Sequence, residues 1–420
     1  MNNLINYIIK KRQVKVTLEK NIKIYIIKNM KKIFPFIRNF IKETDKLLLG
    51  LCFLASAFGC LMVFSATRFK LEEGQLISRD ALVMGLAVLA GIVIALIISA
   101  IDYEVVVKLW PIVAAVSVVL MLLLFVIGVG PNERSDAKTW IPLGPVYFQP
   151  SELLKIAFLI TFSIHLDFLK EKINKIKSII LLGIHAMIPV GLVAVSGDMG
   201  SAVVFVIITI FMLFSAGLHW GYFAGGVVLV AAVSPLVWLY GFSTIQRERF
   251  LALIYPDLYP DIIYQQERGM NALGSGGFFG QGLFKGVYTQ GGLVPEREND
   301  MIFSVIGEEL GFVGCAAALL LLVLIAVEIL RVGKKSRDDA TRYMCAGMAA
   351  IIIGQVIINI GMVLKFLPVI GITLPFFSAG GSSNLCIYIG IGLILSIYRY
   401  NQTRDAYNFT LTRVSTPFSE

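Results

Sequence analysis

Charge is scarce in this chain. Asp, Glu, Lys and Arg supply 15% of its 420 residues, well below the roughly 25% of an ordinary soluble domain. A water-facing surface of normal polarity is thereby excluded, and the length divides into membrane spans rather than soluble domains. Histidine is scarcer still: His165, His185 and His219 stand apart in the sequence, and none has the spacing of a zinc motif. The five cysteines, Cys52, Cys60, Cys315, Cys345 and Cys386, all lie in apolar segments, which leaves no disulfide framework. The absence of a Walker lysine motif disfavours an ATP-driven pump. No internal repeat stands out, which weakens a symmetric transporter.

The little charge present is unevenly placed. Residues 1–46 hold 12 Lys/Arg against 3 Asp/Glu, which accounts for the whole net charge of +9. A nucleic-acid partner would need a basic face on a folded domain, so none is expected. A basic run just before the first apolar span marks a cytoplasmic tail facing anionic lipid. Within it, residues 1–29 alternate only loosely between apolar and polar, as a detachable tail would, and Met30 is an alternative start. Ile33, Phe34, Ile37 and Ile41 then recur at helical spacing beside Lys and Arg, the pattern of an interfacial helix.

Hydrophobic residues make up 57% of the chain. They gather in ten spans, near 47–66, 81–101, 109–129, 153–169, 179–195, 201–217, 220–242, 301–330, 343–364 and 384–398. Each is close to the ~20 residues that a membrane helix needs. The first lacks a small-residue cleavage site and reads as a retained helix. The expected fold is an all-α polytopic membrane protein of about ten helices over 47–400, with a cytoplasmic tail at 401–420. Lys170, Lys172, Lys175 and Lys177, and Arg331, Lys334, Lys335, Arg337 and Arg342, follow even-numbered spans. The positive-inside rule then puts both termini in the cytoplasm and the long loop 243–300 outside. Chemistry, if any, is expected on the outer face, which also receives 130–152 and 365–383.

Four runs carry candidate chemistry. In Leu293–Gly314 a polar stretch enters an apolar helix at Asp300, where a carboxylate is placed to act as a base or a metal ligand. Ser304, Gly307, Gly311 and Gly314 fall below it on one helical face. Close helix packing explains the glycines equally well, and an acidic residue at a helix start needs no function. Glu308 and Glu309 lie deeper, where a carboxylate requires a partner. In Gln149–Lys155, Pro150 and Glu152 suit a first helical turn, and Lys155 shares a face with Glu152 as an ion pair or an anion site. In Gly274–Gly282, glycine alternates with aromatics; the amides suit a phosphate cradle or a loop embedded in the membrane. Arg247, Arg249, Arg268 and Lys285 flank it. Asp198, in Gly197–Gly200, is accounted for by turn chemistry.

Together these runs resemble the SEDS family of bacterial membrane proteins, the RodA/FtsW group, over about residues 44–400. The markers are Phe64-Ser65-Ala66, Trp140-Ile141, Gln149–Lys155, Gly197–Gly200, Tyr264-Gln265, Gly274–Gly282, Val294–Gly314 and Leu367-Pro368 through Ser383. The chain departs from the usual pattern at Thr139, where arginine is common, at Gly197 for proline and at Ala379 for tyrosine. It also has Arg297-Glu298-Asn299 where Ala-His-Thr usually stands. The resemblance implies a glycosyltransferase in the bacterial cytoplasmic membrane that polymerises lipid II into peptidoglycan strands at the outer leaflet. Its partner would be a class B penicillin-binding protein transpeptidase. Asp300 corresponds to the family's essential aspartate and is the expected base. Glu152, Lys155, Lys138, Trp140, Gln265, Arg268, Ser382 and Ser383 are the expected substrate contacts. Lys155, Lys138 and the loop arginines, or a divalent cation (Mg or Mn), would balance the pyrophosphate, and no organic cofactor is expected. The lipid tail is expected to lie against the small-residue stripe below Asp300. A lipid II flippase and a non-catalytic scaffold of the cell-wall synthesis complex are the competing readings.

Overall fold

The structure is a computed structural model that describes residues 43–71, 74–130, 137–144 and 146–414, with side chains described as far as Gln402. The tail and interfacial helix expected within 1–42 lie outside the described residues. Helices dominate. Their starts follow from local chemistry: a short polar side chain meets the first free amides, or proline takes a first-turn position where no amide hydrogen is needed. In α1 (Lys46–Thr67), Asp45 accepts from the amides of Leu47 and Leu48, both at 3.0 Å. Ser78 caps α2 (Arg79–Ala100) by accepting from Ala81. A short α3 (Tyr103–Lys108) leads into α4 (Trp110–Ile127), which carries proline in its first turn.

A two-stranded antiparallel hairpin follows, β1 (Ile141–Leu143) against β2 (Val146–Phe148). It delivers the chain to α5 (Pro150–Leu169), which again opens on proline. Next come α6 (Ile176–Val195), α7 (Met199–Ser215) and α8 (Trp220–Leu236). The long loop is itself mostly helical, with α9 (Thr244–Ile254), α10 (Pro260–Ser275) and the short α11 (Val287–Gln290). The chain closes with α12 (Ile302–Lys335), α13 (Asp339–Val363) and α14 (Gly381–Val414).

Among the described residues, eight helices are long and apolar enough to cross a membrane. α5, diluted by Glu152, Lys155 and Asp167, and the shorter α7 occupy two further apolar stretches. The core is α13, enclosed by α5, α7, α12 and α14. Small residues allow close approach: a Cβ on Gly392 would stand 2.8 Å from the Cα of Ala95, so α14 and α2 pack almost backbone to backbone. α8 is the opposite case, an apolar helix with no buried residue. The five cysteines are free. His165 and His185, distant in sequence, meet between α5 and α6 with their Nδ1 atoms 2.9 Å apart.

Two polar clusters mark the two ends of the bundle. At one end Lys170 bridges Asp167 and Asp339, Arg342 pairs with Asp339, and Tyr103 donates to Asp338. At the other the N-termini of α5, α7, α12 and α14 come together, and Asp300 lies among them.

Candidate functional site

Asp300 sits in the turn that leads into α12. The turn closes on the Glu296 carbonyl, which accepts from the amides of Asn299 at 3.0 Å and Met301 at 3.1 Å. The Asp300 carbonyl accepts from Nδ2 of Asn359, which also donates to the Ile372 carbonyl, each at 2.8 Å. One buried amide on α13 therefore joins the Asp300 turn to the 369–373 segment. The Ser378 hydroxyl donates to the Asn299 carbonyl at 2.7 Å, and the Ala379 amide donates to the Glu298 carbonyl at 2.8 Å. Asp300 is half-buried, and its carboxylate lies beside Gly371, where a Cβ would stand 3.8 Å from Oδ2.

This environment pushes the Asp300 pKa up to about 7. Burial among protein atoms is the main cause, because it disfavours the charged form. Glu296 repels in the same direction, Arg249 pulls the other way, and Asp198 adds a smaller repulsion. A carboxylic acid poised near neutrality is matched to general-base work.

Asp198 is more than a turn residue. Its Oδ1 caps α7 by accepting from the Ser201 amide at 3.0 Å, while Oδ2 accepts from Nε2 of Gln149 at 2.8 Å and from Ser151 at 3.1 Å. It thereby ties the start of α5 to the start of α7. Ser382, in the first turn of α14, joins them: it accepts from the Gln149 amide at 3.3 Å and donates to the Tyr147 carbonyl at 3.0 Å. Four helix N-termini and their partial positive charge thus point towards the end that carries Asp300, a setting that favours anions.

The family model described as "Cell cycle protein" (FtsW/RodA/SpoVE) matches residues 45–403. The chain belongs to the FtsW/RodA/SpoVE family. It is 32% identical over 345 residues to peptidoglycan glycosyltransferase MrdB of Escherichia coli (strain K12), covering 81% of this chain and 91% of that one. It is also 32% identical over 362 residues to a probable peptidoglycan glycosyltransferase FtsW of Trichlorobacter lovleyi, covering 84% and 93%. Among solved structures it resembles a chain described under "Structural coordination of polymerization and crosslinking by a peptidoglycan synthase complex", with TM-score 0.73, 26% identity, and coverage of 85% and 98%. The rod shape determining protein RodA of Thermus thermophilus superimposes with TM-score 0.63 at 25% identity, covering 85% and 97%. The chain is accordingly a multi-pass membrane protein of this family.

The remaining candidates of this FtsW/RodA/SpoVE member divide into three groups. Trp140 and Lys138 lie beside the hairpin: Trp140 packs edge-on against Tyr147, and Lys138 is exposed, with Nζ donating to the Phe125 carbonyl at 2.8 Å. Ser382 and Ser383 start α14, and Ser383 accepts from Thr373 at 3.2 Å. Gln265 and Arg268 lie on α10, where Arg268 covers the Tyr264 ring at 5.1 Å. Glu152 and Lys155 form a 2.7 Å ion pair with side chains 5% and 1% exposed. In this conformation the pair is internal to the bundle and not an open anion site.

Two expectations about the glycine-rich segments need correction. The middle of the stripe below Asp300 is not open to a lipid tail, because the chain's own 273–282 segment covers Gly307 and Gly311. A Cβ on Gly276 would stand 1.8 Å from the Gly307 carbonyl oxygen, and one on Gly307 would stand 2.1 Å from Leu273. Nor are the loop's amides all free to cradle phosphate. Gln281 and Gly282 donate theirs to the carbonyls of Glu308 and Glu309, both at 2.9 Å, and Gly280 donates to Gly276. The loop docks where α12 breaks: Gly311 takes φ +66 and ψ −162, a conformation open to glycine alone. The freed amides of Phe312 and Val313 bond instead to the carbonyls of Gly277 and Phe278. Both deep carboxylates have partners. Glu308 accepts from the amides of Tyr288 and Thr289 and from the Thr289 hydroxyl, and Glu309 accepts from Ser65 and Gln290.

Sequence reasoning passed over Asn359, Glu296 and the extra role of Asp198. The N-cap position of Asp198 was readable; its reach to Gln149 was not, because that contact spans 49 residues. Among the described residues no group of three His, Cys, Asp or Glu is placed to hold a metal ion.

Proposed function

We propose that this protein is a peptidoglycan glycosyltransferase that polymerises lipid II at the outer face of the bacterial cytoplasmic membrane, alongside a class B transpeptidase. The observation that carries the reading is Asp300: a half-buried aspartate among four helix N-termini, with its pKa pushed up to about 7. The relatives' names support the activity, and the synthase complex supports a crosslinking partner. The positive-inside pattern, with Lys170, Arg337 and Arg342 at the far end of the bundle, supports an outward-facing Asp300 and cytoplasmic termini.

The acceptor sugar's hydroxyl lies against Asp300, which takes its proton as the new glycosidic bond forms. The bond between the donor sugar and its lipid pyrophosphate breaks, and the pyrophosphate leaves with the electron pair. Developing negative charge on that group needs preorganised positive charge. The helix N-termini and Arg249 lie nearest Asp300, with exposed Lys138 at the hairpin edge. A divalent cation would add further positive charge for the pyrophosphate.

The test is to supply lipid II to the purified protein in liposomes, with and without a transpeptidase. Glycan strands are expected. Lipid II crossing the bilayer with no polymer formed would favour the flippase, and neither activity would favour the scaffold.

A further inference from the structure

The turn that carries Asp300 is gripped on a second side by two consecutive residues. Arg297 lays its guanidinium over the Phe69 ring, 3.4 Å from Cζ to centroid, and donates from Nη1 to the Thr289 carbonyl at 3.0 Å. Glu298 pairs with Lys70, and Lys70 also pairs with Asp80 of α2 at 2.9 Å. Phe69 and Lys70 belong to the single 3-10 turn, Arg68–Lys70, that ends α1. Neighbours 297 and 298 therefore hook onto neighbours 69 and 70. The opposite edge of the same turn is held by Ser378, Ala379 and Asn359.

Arg297 and Glu298 are 4% and 8% exposed, whereas loop charges ordinarily lie in water. Between the two grips, Glu296 adopts φ +50, a left-handed conformation for a residue with a Cβ. Such a residue persists only where its surroundings over-determine it. Its carboxylate is fixed in turn by Nδ2 of Asn299 at 2.8 Å. Each of the three side chains in Arg297-Glu298-Asn299 is held by a contact: Arg297 by Phe69 and Thr289, Glu298 by Lys70, and Asn299 by Glu296.

We propose that Phe69 and Lys70 are positioning residues for Asp300: the end of α1 holds the 296–300 turn through Arg297 and Glu298 and sets where the Asp300 carboxylate points. The inference rests on the reading of Asp300 as the base. The charged groups that face Asp300 are Glu296 on its own turn, Arg249 on α9 and Asp198 at the start of α7. Releasing the grip moves Glu296 away and admits water, so Asp300 returns towards an ordinary carboxylate.

The experiment measures lipid II polymerisation by the full chain with its transpeptidase, comparing wild type, Lys70→Met, Lys70→Arg and Asp300→Asn. In Lys70→Met, kcat is expected to fall about tenfold to a hundredfold, the scale of a small misplacement of a reacting group, with KM within about twofold. The acid limb of the pH profile is expected to move to lower pH. Lys70→Arg, which keeps the charge, retains at least about half of kcat. Wild-type kcat and pH profile in Lys70→Met would overturn the proposal. So would a rise in KM alone, or a loss in Lys70→Arg equal to that in Lys70→Met. Should Lys70→Met not survive purification, Arg297→Lys supplies the same readout, because it keeps a charge but loses the planar stack. If wild type itself makes no strands, the glycosyltransferase reading fails. If strands depend on Asp300 but not on Lys70, only the positioning role fails.

Discussion

At the scale of single residues, two carboxylates near the same helix start do different work. Glu308 is fully buried and accepts three hydrogen bonds, from the amides of Tyr288 and Thr289 and from the Thr289 hydroxyl. Glu308→Ala would orphan all three donors, and each buried orphan costs about 1–3 kcal/mol. That variant should lose several degrees of Tm in detergent or fail to accumulate. Asp300 is destabilised in its charged form instead. Its folded pKa of about 7 lies above the unfolded value of about 4, so the folded protein binds this proton more tightly. Stability from this group is complete below the unfolded pKa and is lost as pH rises towards 7. Asp300→Asn is therefore expected to raise Tm above that of wild type at pH 8, while equal Tm values there would refute the burial account. A gain in stability with a loss of activity is the usual mark of a functional site. The position of Asp300 was legible in the sequence, where a polar run stops at an apolar helix. Its tuning was not, because Glu296 acts through a left-handed backbone and Arg249 and Asp198 come from other elements.

At the scale of elements, the glycine-rich loop and the break in α12 form one unit. Gly280 has φ +79, and a Cβ there would lie 2.2 Å from the Glu309 carbonyl oxygen. Gly311 has φ +66, and a Cβ there would lie 2.3 Å from the Gly280 amide nitrogen. Gly280→Ala and Gly311→Ala should each cost at least ~2 kcal/mol by strain alone. Gly274 lies within α10, with nothing in reach of a Cβ. Gly274→Ala should be neutral or stabilising by up to about 1 kcal/mol. Thermal unfolding of the three variants checks the contrast, and equal effects would mean that the loop does not dock on the break. The eight helices long and apolar enough to span were readable because hydrophobic length alone marks a membrane helix. The docking was not, because a glycine run is compatible with a phosphate cradle, an embedded loop or a packing surface. Only the carbonyls freed by Gly311 decide between them.

At the scale of the whole molecule, burial is uneven. α8 has no buried residue, whereas the apolar window of α13 is 72% buried. Met348→Ala on α13 removes a side chain with no exposure and should cost about 2–5 kcal/mol, while Val228→Ala on α8 should fall within about 0.5 kcal/mol. Net hydropathy ranks both helices as spans and says nothing of which one packs. The proposed orientation is open to a direct check: single cysteines at Lys172 and Lys334 should react with an impermeant maleimide only from the cytoplasmic side, and one at Lys285 only from outside. The central claim, that Asp300 is the base of a lipid II polymerase, is tested most directly by the rate of glycan-strand synthesis across about pH 5 to 9 for wild type and Asp300→Asn with a transpeptidase present. The account predicts that wild-type kcat/KM rises with pH to a plateau above about 7, and that Asp300→Asn is slower by about 10²–10⁴-fold at every pH. Strand synthesis by Asp300→Asn at the wild-type rate would contradict it.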